Sequence, residues 1–290
     1  MNRLLRAGAV VLGLVWAGAA FSAQQSQPVV PPEYERSGGP YVPTPNMVVD
    51  QMLSLAKVGA KDHVIDLGSG DGIIVLTAAH QLKASGYGVD IDEVLVQSSN
   101  QRAKNLGLAD RVKFEVKDIF KADVSKATVV TLYLLPEMMR ALLPKLFREL
   151  QPGTRIVSHD YHFDSWEHVD TVSFHAPEKE MITGVPQATL YLWVVPAKVA
   201  GTWRVSPEGA VEQTMTLRQN YNGFDGDMRQ GSRTEKLTDT EVGSQDIRFV
   251  RNDGSSRQVY RGRVDGNRME GTVELRGGKT VRWQAVRQAS

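Results

Sequence analysis

The chain has no cysteine among its 290 residues. This absence excludes disulfide bridges, thiolate zinc sites and cysteine nucleophiles. An excess of charge of either sign is missing as well, because 34 lysines and arginines stand against 33 aspartates and glutamates, for a formal net charge of +1. The basic residues are scattered rather than grouped, so the charge pattern predicts no nucleic-acid partner. We also predict no metal cofactor.

A long apolar run occurs near the N-terminus. Arg3 and Arg6 precede an apolar stretch at residues 7 to 20, and small and then polar residues follow it. Residues 1–23 are therefore predicted to be a secretory signal peptide; the alternative is an uncleaved anchor, since a spanning helix needs roughly 20 apolar residues. The arginines keep the N-terminus inside. We expect the remainder to be exported to the bacterial periplasm, free or anchored to the inner membrane facing it, with possible membrane association through the N-terminal segment.

Residues 24–40 are rich in proline, glutamine, serine and glycine and are predicted to be a flexible linker. Residues 41–197 then alternate between uniformly apolar runs and helical patterns, beginning with a helix after Thr44-Pro45. Strands are predicted at 63–67, 86–90, 112–116, 128–133 and 154–158, and helices at 71–83, 92–106 and 136–149. This alternation indicates an α/β fold with a doubly wound, mostly parallel sheet, to which residues 170 to 195 add antiparallel edge strands.

The character of the sequence changes beyond Pro196. Short runs of alternating apolar residues are separated by dipeptides typical of hairpin turns, namely Asn222-Gly223, Asp225-Gly226, Asp253-Gly254, Asp265-Gly266 and Gly277-Gly278. Residues 198–290 are therefore predicted to form a small antiparallel β domain, either a barrel or a sandwich. No convergent set of histidines or acids indicates chemistry there.

The stretch from Val64 to Gly72 carries the strongest functional signal. A buried-strand pattern runs into a turn with glycines at 68, 70 and 72, and an apolar helix pattern resumes at Ile73. A dinucleotide-binding turn has the pattern G-x-G-x-x-G, so Ile73 stands where the third glycine belongs. Asp66 and Asp71 flank the turn and would repel a pyrophosphate. The turn therefore favours a cationic ligand over a dinucleotide.

S-adenosylmethionine fits these requirements, because it carries an ammonium and a sulfonium and has no phosphate. Asp90 ends the next strand, where a carboxylate can accept both ribose hydroxyls. Asp118 follows the third strand and can accept the adenine amino group, with Ile119 packing on the ring. The alternative is a structural turn whose aspartates only cap helices. The predicted cofactor contacts are Tyr41, Thr44, Asp66, Gly68, Ser69, Gly70, Asp71, Gly72, Asp90, Ile91, Asp118 and Ile119.

Through residues 64–72, 88–92 and 118 the chain resembles the class I S-adenosylmethionine-dependent methyltransferases. A more specific resemblance lies in Tyr41-Val42-Pro43-Thr44-Pro45, in residues 131–137 and 144–146, and in residues 152–160. These segments are similar to the lysine methyltransferases that modify mitochondrial inner-membrane proteins, the adenine nucleotide translocase and the ATP synthase c-subunit, and to their bacterial relatives. The resemblance covers residues 41 to 195 and implies that residues 133 to 137 line the methyl-transfer site.

On this resemblance, Tyr133 and Glu137 are the candidate catalytic residues, and Tyr133, Pro136, His159 and Asp160 are the candidate acceptor-binding residues. Each has a structural alternative. Glu137 is an acid in a helix first turn, His159 and Asp160 end a strand, and Tyr133 could be a core ring. The tryptophans at 166, 193, 203 and 283 are expected to be core or domain-contact residues.

Three functions follow from the sequence. The first is a protein-lysine N-methyltransferase acting on an envelope or membrane protein, and the second is a small-molecule methyltransferase. The third is an exported binding module that keeps the cofactor fold without catalysis. The complete set of acids at the predicted strand ends favours the two enzymes. A measurement of S-adenosylmethionine binding would distinguish them from the third function.

Overall fold

The computed structural model describes residues 41–254, 256–275 and 277–288. The predicted signal peptide or anchor (1–23) and the linker (24–40) lie outside the described residues. Within the described ranges, no helix has the length and apolar character needed to cross a membrane.

The first part of the chain forms a seven-stranded sheet with helices. Its elements are α1 (Asn46–Leu55), β1 (His63–Leu67), α2 (Ile73–Leu82), β2 (Ser85–Asp90), α3 (Glu93–Asn105), β3 (Val112–Val116), β4 (Val129–Leu132), α4 (Pro136–Glu149), β5 (Arg155–His159), β6 (Asp170–His175), α5 (Pro177–Thr183) and β7 (Gln187–Val194). The strand order is β3-β2-β1-β4-β5-β7-β6, and β7 runs antiparallel to both neighbours. The predicted mostly parallel sheet with an antiparallel edge is confirmed. The seven-residue α5 was not predicted, because so short and charged a segment carries no helical periodicity.

Alternate residues of the central strands belong to two separate apolar clusters. Ile65 and Val130 pack with α4, whereas Val64 and Val129 pack with α1 and α2. Because both faces of the sheet are covered at its centre, β1, β4 and β5 are buried at nearly every position, whereas the outer strands β3 and β6 have exposed polar residues. Strand order reverses between β1 and β4, and a crevice opens at the carboxyl ends of strands beside such a reversal.

The second part of the chain is a closed antiparallel barrel. Its strands are β8 (Gly201–Pro207), β9 (Gln213–Asn220), β10 (Gly223–Gln230), β11 (Arg233–Val242), β12 (Asp246–Asp253), β13 (Ser256–Asp265), β14 (Arg268–Glu274) and β15 (Thr280–Arg287). Each strand pairs with the next, and β15 pairs with β8 to close the barrel. The structure thus selects the barrel from the two predicted architectures. Trp203 and Trp283 fill its interior and Trp193 lies in the sheet core, as expected for large aromatic residues.

One predicted turn is wrong. Asp225 and Gly226 lie inside β10, where Gly226 pairs with Leu217 of β9. A Cβ on Gly226 would come within 2.5 Å of the Thr216 carbonyl oxygen. This glycine therefore permits close approach of two strands rather than a change of direction.

Candidate functional site

A cavity of about 510 Å³ opens at the carboxyl ends of β1, β2 and β4. Its volume is typical of a small-molecule or cofactor site. Twelve of the residues predicted from the sequence line it together: Tyr41, Thr44, Asp66, Gly68, Ser69, Gly70, Asp71, Asp90, Ile91, Asp118, Ile119 and Tyr133. Gly72, Pro136, Glu137, His159 and Asp160 are not among the lining residues.

The glycine-rich turn between β1 and α2 forms one wall of the cavity. Gly70 has a left-handed backbone with φ of 50°, and a Cβ at this position would lie 2.4 Å from the ring of Tyr41. Glycine therefore permits both the turn and the packing of Tyr41 over it. Gly72 precedes α2 with φ of 77°, and a Cβ there would lie 2.7 Å from the ring of Phe114. Gly72 thus serves helix packing rather than the cavity.

Asp66, in β1, is the most buried acid of the cavity, with 2% of its surface exposed. The Thr131 hydroxyl donates a 2.7 Å hydrogen bond to its carboxylate. Burial raises the pKa of Asp66 to about 7, and the nearby charges of Asp90 and Asp71 act in the same direction. A cation placed in this cavity would relieve that penalty, so the carboxylate is suited to an ammonium group.

Asp90 joins the end of β2 to the glycine-rich turn. One carboxylate oxygen accepts the Gly70 N–H at 2.8 Å, and the other accepts the Asp92 N–H at 3.0 Å. Asp118 begins the short 3₁₀ helix Ile119–Lys121 and accepts the Phe120 N–H at 2.9 Å. The predicted acids at successive strand ends therefore share one cavity, although both also support the backbone around it.

Asp71 differs from the other acids because it has a strong partner outside the turn. Its carboxylate forms a 2.7 Å ion pair with Arg102 of α3, and it also accepts the Ile73 N–H at 3.1 Å. Beside it, Tyr41 is still 45% exposed, and its pKa is raised to about 12, chiefly by desolvation. Since Arg102 compensates the Asp71 charge, repulsion of a pyrophosphate depends on Asp66 and Asp90 rather than on Asp71.

The end of the cavity near β4 and β5 is aromatic. Tyr133 and Tyr161 both line it, with ring centroids 6.4 Å apart. His159 lies behind Tyr133 with 1% of its surface exposed, and the centroids of these two rings are 4.1 Å apart. Burial and the nearby Lys179 lower the pKa of His159, so the imidazole is neutral at pH 7. His159 therefore supports Tyr133 from behind rather than facing the cavity.

The other candidate acceptor-site residues lie outside the cavity wall. Pro136 and Glu137 occupy the first turn of α4, where Glu137 is exposed to solvent. Asp160 has a left-handed backbone with φ of 61° and forms a 2.8 Å ion pair with Lys179 of α5. The Lys179 side chain is only 5% exposed. Asp160 thus anchors the segment that follows β5.

Sequence reasoning missed several residues at this site. Tyr161 lines the cavity and directly follows His159 and Asp160 in the sequence, so its position next to two candidate residues could have indicated it. Met138 lines the cavity from α4 and was also missed, whereas Leu134 belongs to the residues 133 to 137 that the resemblance implied. Lys179 comes from α5, which has no helical signal in the sequence, and only the fold brings it to Asp160.

One polar atom of the cavity wall lacks a partner. The Ser69 hydroxyl is buried and makes no hydrogen bond within the described part of the chain. A buried hydroxyl without a partner is unfavourable unless a ligand satisfies it. The wall therefore offers a carboxylate for an ammonium, a second acid at the β2 end, a free hydroxyl and apolar faces at Ile91 and Ile119. These groups fit an adenosyl cofactor that carries an amino group.

The strand order, the reversal between β1 and β4 and the acidic cavity together define a Rossmann-like methyltransferase. Comparison with known proteins agrees. The family model of the ANTKMT methyltransferase domain matches residues 66–170. A protein-lysine N-methyltransferase from Saccharolobus islandicus is 38% identical over 157 residues, which are 54% of this chain and 93% of that protein. The ATP synthase c-subunit lysine N-methyltransferase of Xenopus laevis is 32% identical over 173 residues, 57% of this chain and 75% of that protein.

A solved structure has the same fold and a related sequence. The RNA methyltransferase from Salinibacter ruber in complex with S-adenosyl-L-homocysteine is 46% identical with a TM-score of 0.50, covering 55% of this chain and 96% of that one. The chain belongs to the family of S-adenosylmethionine-dependent protein-lysine methyltransferases. Its cofactor is S-adenosylmethionine, as the sequence predicted.

Proposed function

We propose that this enzyme methylates the side-chain amine of lysine in a protein of the cell envelope or membrane. The observation that carries the proposal is the pair of rings, Tyr133 and Tyr161, at the end of the cavity beyond the acids. Aromatic faces attract ammonium and methylated ammonium groups. The names of the relatives, which are protein-lysine and ATP synthase c-subunit lysine methyltransferases, support the same acceptor.

When bound, S-adenosylmethionine supplies an electrophilic methyl group that transfers in line, so that a C–N bond forms as the C–S bond breaks. Asp66 and the Ser69 hydroxyl would hold the amino-acid part of the cofactor, and Asp90 and Asp118 would hold the adenosyl part. Tyr133 and Tyr161 would align the neutral amine, which has released its proton to solvent, and exclude water. Their rings then lie against the methylated ammonium product. The protein contributes alignment and needs no covalent intermediate.

The Salinibacter ruber relative is named for an RNA substrate, which makes RNA a second candidate acceptor. Apart from Asp71, whose charge Arg102 compensates, the cavity lining contains the four acids Asp66, Asp90, Asp92 and Asp118, and Lys121 is its one basic residue. A phosphate backbone would approach a negative field, whereas a lysine side chain would approach an attractive one. The charge of the cavity favours lysine.

The envelope or membrane location of the target rests on the N-terminal sequence. Arg3 and Arg6 ahead of an apolar stretch support export, with a signal peptide or an anchor as the two forms. An exported enzyme meets acceptors in the periplasm or at the membrane surface. Fusion of alkaline phosphatase to the C-terminus tests this directly, since the reporter is active only outside the cytoplasm and an inactive fusion would contradict export.

Two measurements test the enzymatic proposal. Isothermal titration of the full chain with S-adenosylmethionine should show binding that Asp90→Ala weakens at least tenfold; absence of binding to the parent chain would support the non-catalytic module. Mass spectrometry of envelope proteins should then find lysine methylation in cells with the gene and not in cells without it. Methylation restricted to RNA or to small molecules in the same comparison would reject lysine as the acceptor.

A further inference from the structure

Residues 160–169 connect the acceptor end of the cavity to the barrel. The segment follows β5, begins beside the cavity with Tyr161, and continues through Phe163 and Trp166 to the start of β6. Phe163 and Trp166 are both 2% exposed, with nearly parallel rings 6.0 Å apart. Trp193 of β7 donates a 2.9 Å hydrogen bond from its indole N–H to the Trp166 carbonyl. The sheet therefore holds the middle of this segment from one side.

A barrel residue holds the segment from the other side. Tyr221, in the turn between β9 and β10, stacks on Trp166 with ring centroids 5.6 Å apart and an angle of 15°. The same ring meets Phe147 of α4 edge-on at 5.2 Å. Such aromatic pairs stabilise a contact beyond the effect of the apolar area that they bury. Tyr221 thus fills a gap between α4 and the segment.

The turn that presents Tyr221 is held in an unfavourable conformation. Tyr221 has φ of 51°, in the left-handed region that side chains other than glycine rarely adopt. The Gln219 side-chain amide donates to the Tyr221 carbonyl at 2.8 Å and to the Ala197 carbonyl at 2.8 Å. Strain of this kind persists only where the surroundings enforce it. The barrel turn therefore holds the Tyr221 ring against Trp166 and Phe147 of the methyltransferase part.

A second contact reaches the same helix. Lys198, just before β8, donates a 2.7 Å hydrogen bond from its ammonium to the Arg148 carbonyl near the end of α4. Met138, near the start of α4, lines the cavity. Tyr161, near the start of the segment 160–169, lines it as well. The barrel thus touches two elements whose far ends both line the cavity.

We infer that the barrel is a positioning module for the acceptor site, and that Tyr221 acts through Trp166 to hold Tyr161 in place. Tyr221 does not line the cavity, so it is a positioning residue and not a catalytic one. The inference rests on the proposed acceptor role of the Tyr133 and Tyr161 end. It assigns the barrel a part in catalysis although the barrel contributes no lining residue to that cavity.

The test compares Tyr221→Ala with Tyr221→Phe in the full chain. The Tyr221 hydroxyl makes no hydrogen bond within the described residues, so phenylalanine keeps the stacking contacts and alanine removes them. In hydrogen–deuterium exchange, amides of residues 160–169 should exchange at least tenfold faster in Tyr221→Ala and at the parent rate in Tyr221→Phe. Val205→Ala is the matched control, because Val205 is buried in the barrel core, outside the cluster that contains Tyr221. It should lower thermal stability without changing exchange in the segment.

Kinetics supply the second readout. With envelope extract from cells lacking the gene as the methyl acceptor, Tyr221→Ala should lower kcat/KM for the acceptor about tenfold and leave the Kd for S-adenosylmethionine within twofold. Unchanged exchange in Tyr221→Ala, or an equal increase in Val205→Ala, would overturn the inference. The exchange result does not require a known acceptor, so it decides the inference even if lysine methylation is not observed.

Discussion

The imidazole of His159 lies against the ring of Tyr133, with centroids 4.1 Å apart and an interplanar angle of 34°. Neither ring nitrogen of His159 makes a hydrogen bond within the described residues; Nε2 lies 3.4 Å from an Asp160 oxygen. A neutral, buried imidazole in this position packs against the Tyr133 ring on the side away from the cavity. Its polar atoms bring a desolvation penalty and no compensating bond.

The first prediction follows from that penalty. The pKa of His159 is lowered below its ordinary value of 6.5, so the unfolded chain binds a proton on this imidazole more readily than the folded chain does, and the free energy of unfolding decreases as the pH falls below 6.5. His159→Phe keeps a ring behind Tyr133 and cannot titrate. We expect its melting temperature at pH 7.5 to equal or exceed that of the parent and to fall less between pH 6.5 and 4.5. A parallel decline in both proteins would show that His159 is not the group responsible.

The second prediction concerns Asp66. Its pKa is raised to about 7 against a reference value of 3.8, so the buried charge destabilises the fold increasingly as the pH rises from about 4 to above 7. Asp66→Asn can still accept the Thr131 hydroxyl and should gain up to about 4 kcal/mol of unfolding free energy at pH 8, with no gain near pH 4. Urea unfolding at both pH values checks this.

The same substitution should weaken cofactor binding. Below the ordinary α-amino pKa of about 8, raising the pH ionises Asp66 while the ligand ammonium stays charged. Titration between pH 5.5 and 7.5 should therefore show S-adenosylmethionine binding the parent more tightly as the pH rises. Asp66→Asn should bind at least tenfold more weakly at pH 7.5 with a flat profile. An equally steep profile in the variant would assign the titration to another group.

The third prediction concerns the ion pair of Asp160 and Lys179. Lys179→Met leaves the Asp160 carboxylate without its cation in a largely buried position, and removal of one partner from such a pair costs about 3 kcal/mol. We expect a melting temperature several degrees lower and faster hydrogen exchange in residues 160–169. The double variant Asp160→Asn with Lys179→Met should recover most of the stability, because no charge is then left alone. A double-mutant cycle without coupling would refute the pairing.

The fourth prediction uses two glycines with left-handed backbones. Gly70 has φ of 50° and is crowded by Tyr41, whereas Gly107 has φ of 68° and a Cβ added there would meet nothing beyond its chain neighbours within 4 Å. Substitution by alanine costs each site about 1–2 kcal/mol in backbone strain. Only Gly70→Ala must also displace Tyr41, so it alone should weaken S-adenosylmethionine binding, by more than tenfold. Equal affinity in the two variants would mean that Tyr41 packing is not needed for the cofactor.

The sheet could be predicted because its strands carry their own signature. Runs such as Val129–Leu132 are apolar at nearly every position, which occurs where both faces of a sheet are covered. Once the parallel strands are predicted, their carboxyl ends must lie at one edge of the sheet. Asp66, Asp90 and Asp118 follow or end such strands, so they could be placed together. Local sequence was therefore enough for the cofactor end of the cavity.

The proposed acceptor end of the cavity depends on contacts between residues that are separated in the sequence. Lys179 reaches Asp160 from a helix of seven residues, and His159 faces Tyr133 from behind rather than the cavity. Asp225-Gly226 has the composition of a turn, yet Gly226 is required by the closeness of Thr216 on the neighbouring strand β9. In each case the residue that decides the role lies outside the local sequence motif.

Closure of the barrel has a consequence for the order of folding. Strand β8 pairs with β9 beside it in sequence and also with β15, so the ring spans residues 201 to 287. A ribosome releases β8 long before β15, and contacts between such distant segments form late. The methyltransferase sheet is complete at Val194 and contains no strand of the barrel, so it can form before the barrel closes. The cofactor pocket can therefore form first, and the contact between Tyr221 and Trp166 is complete only once the barrel has closed.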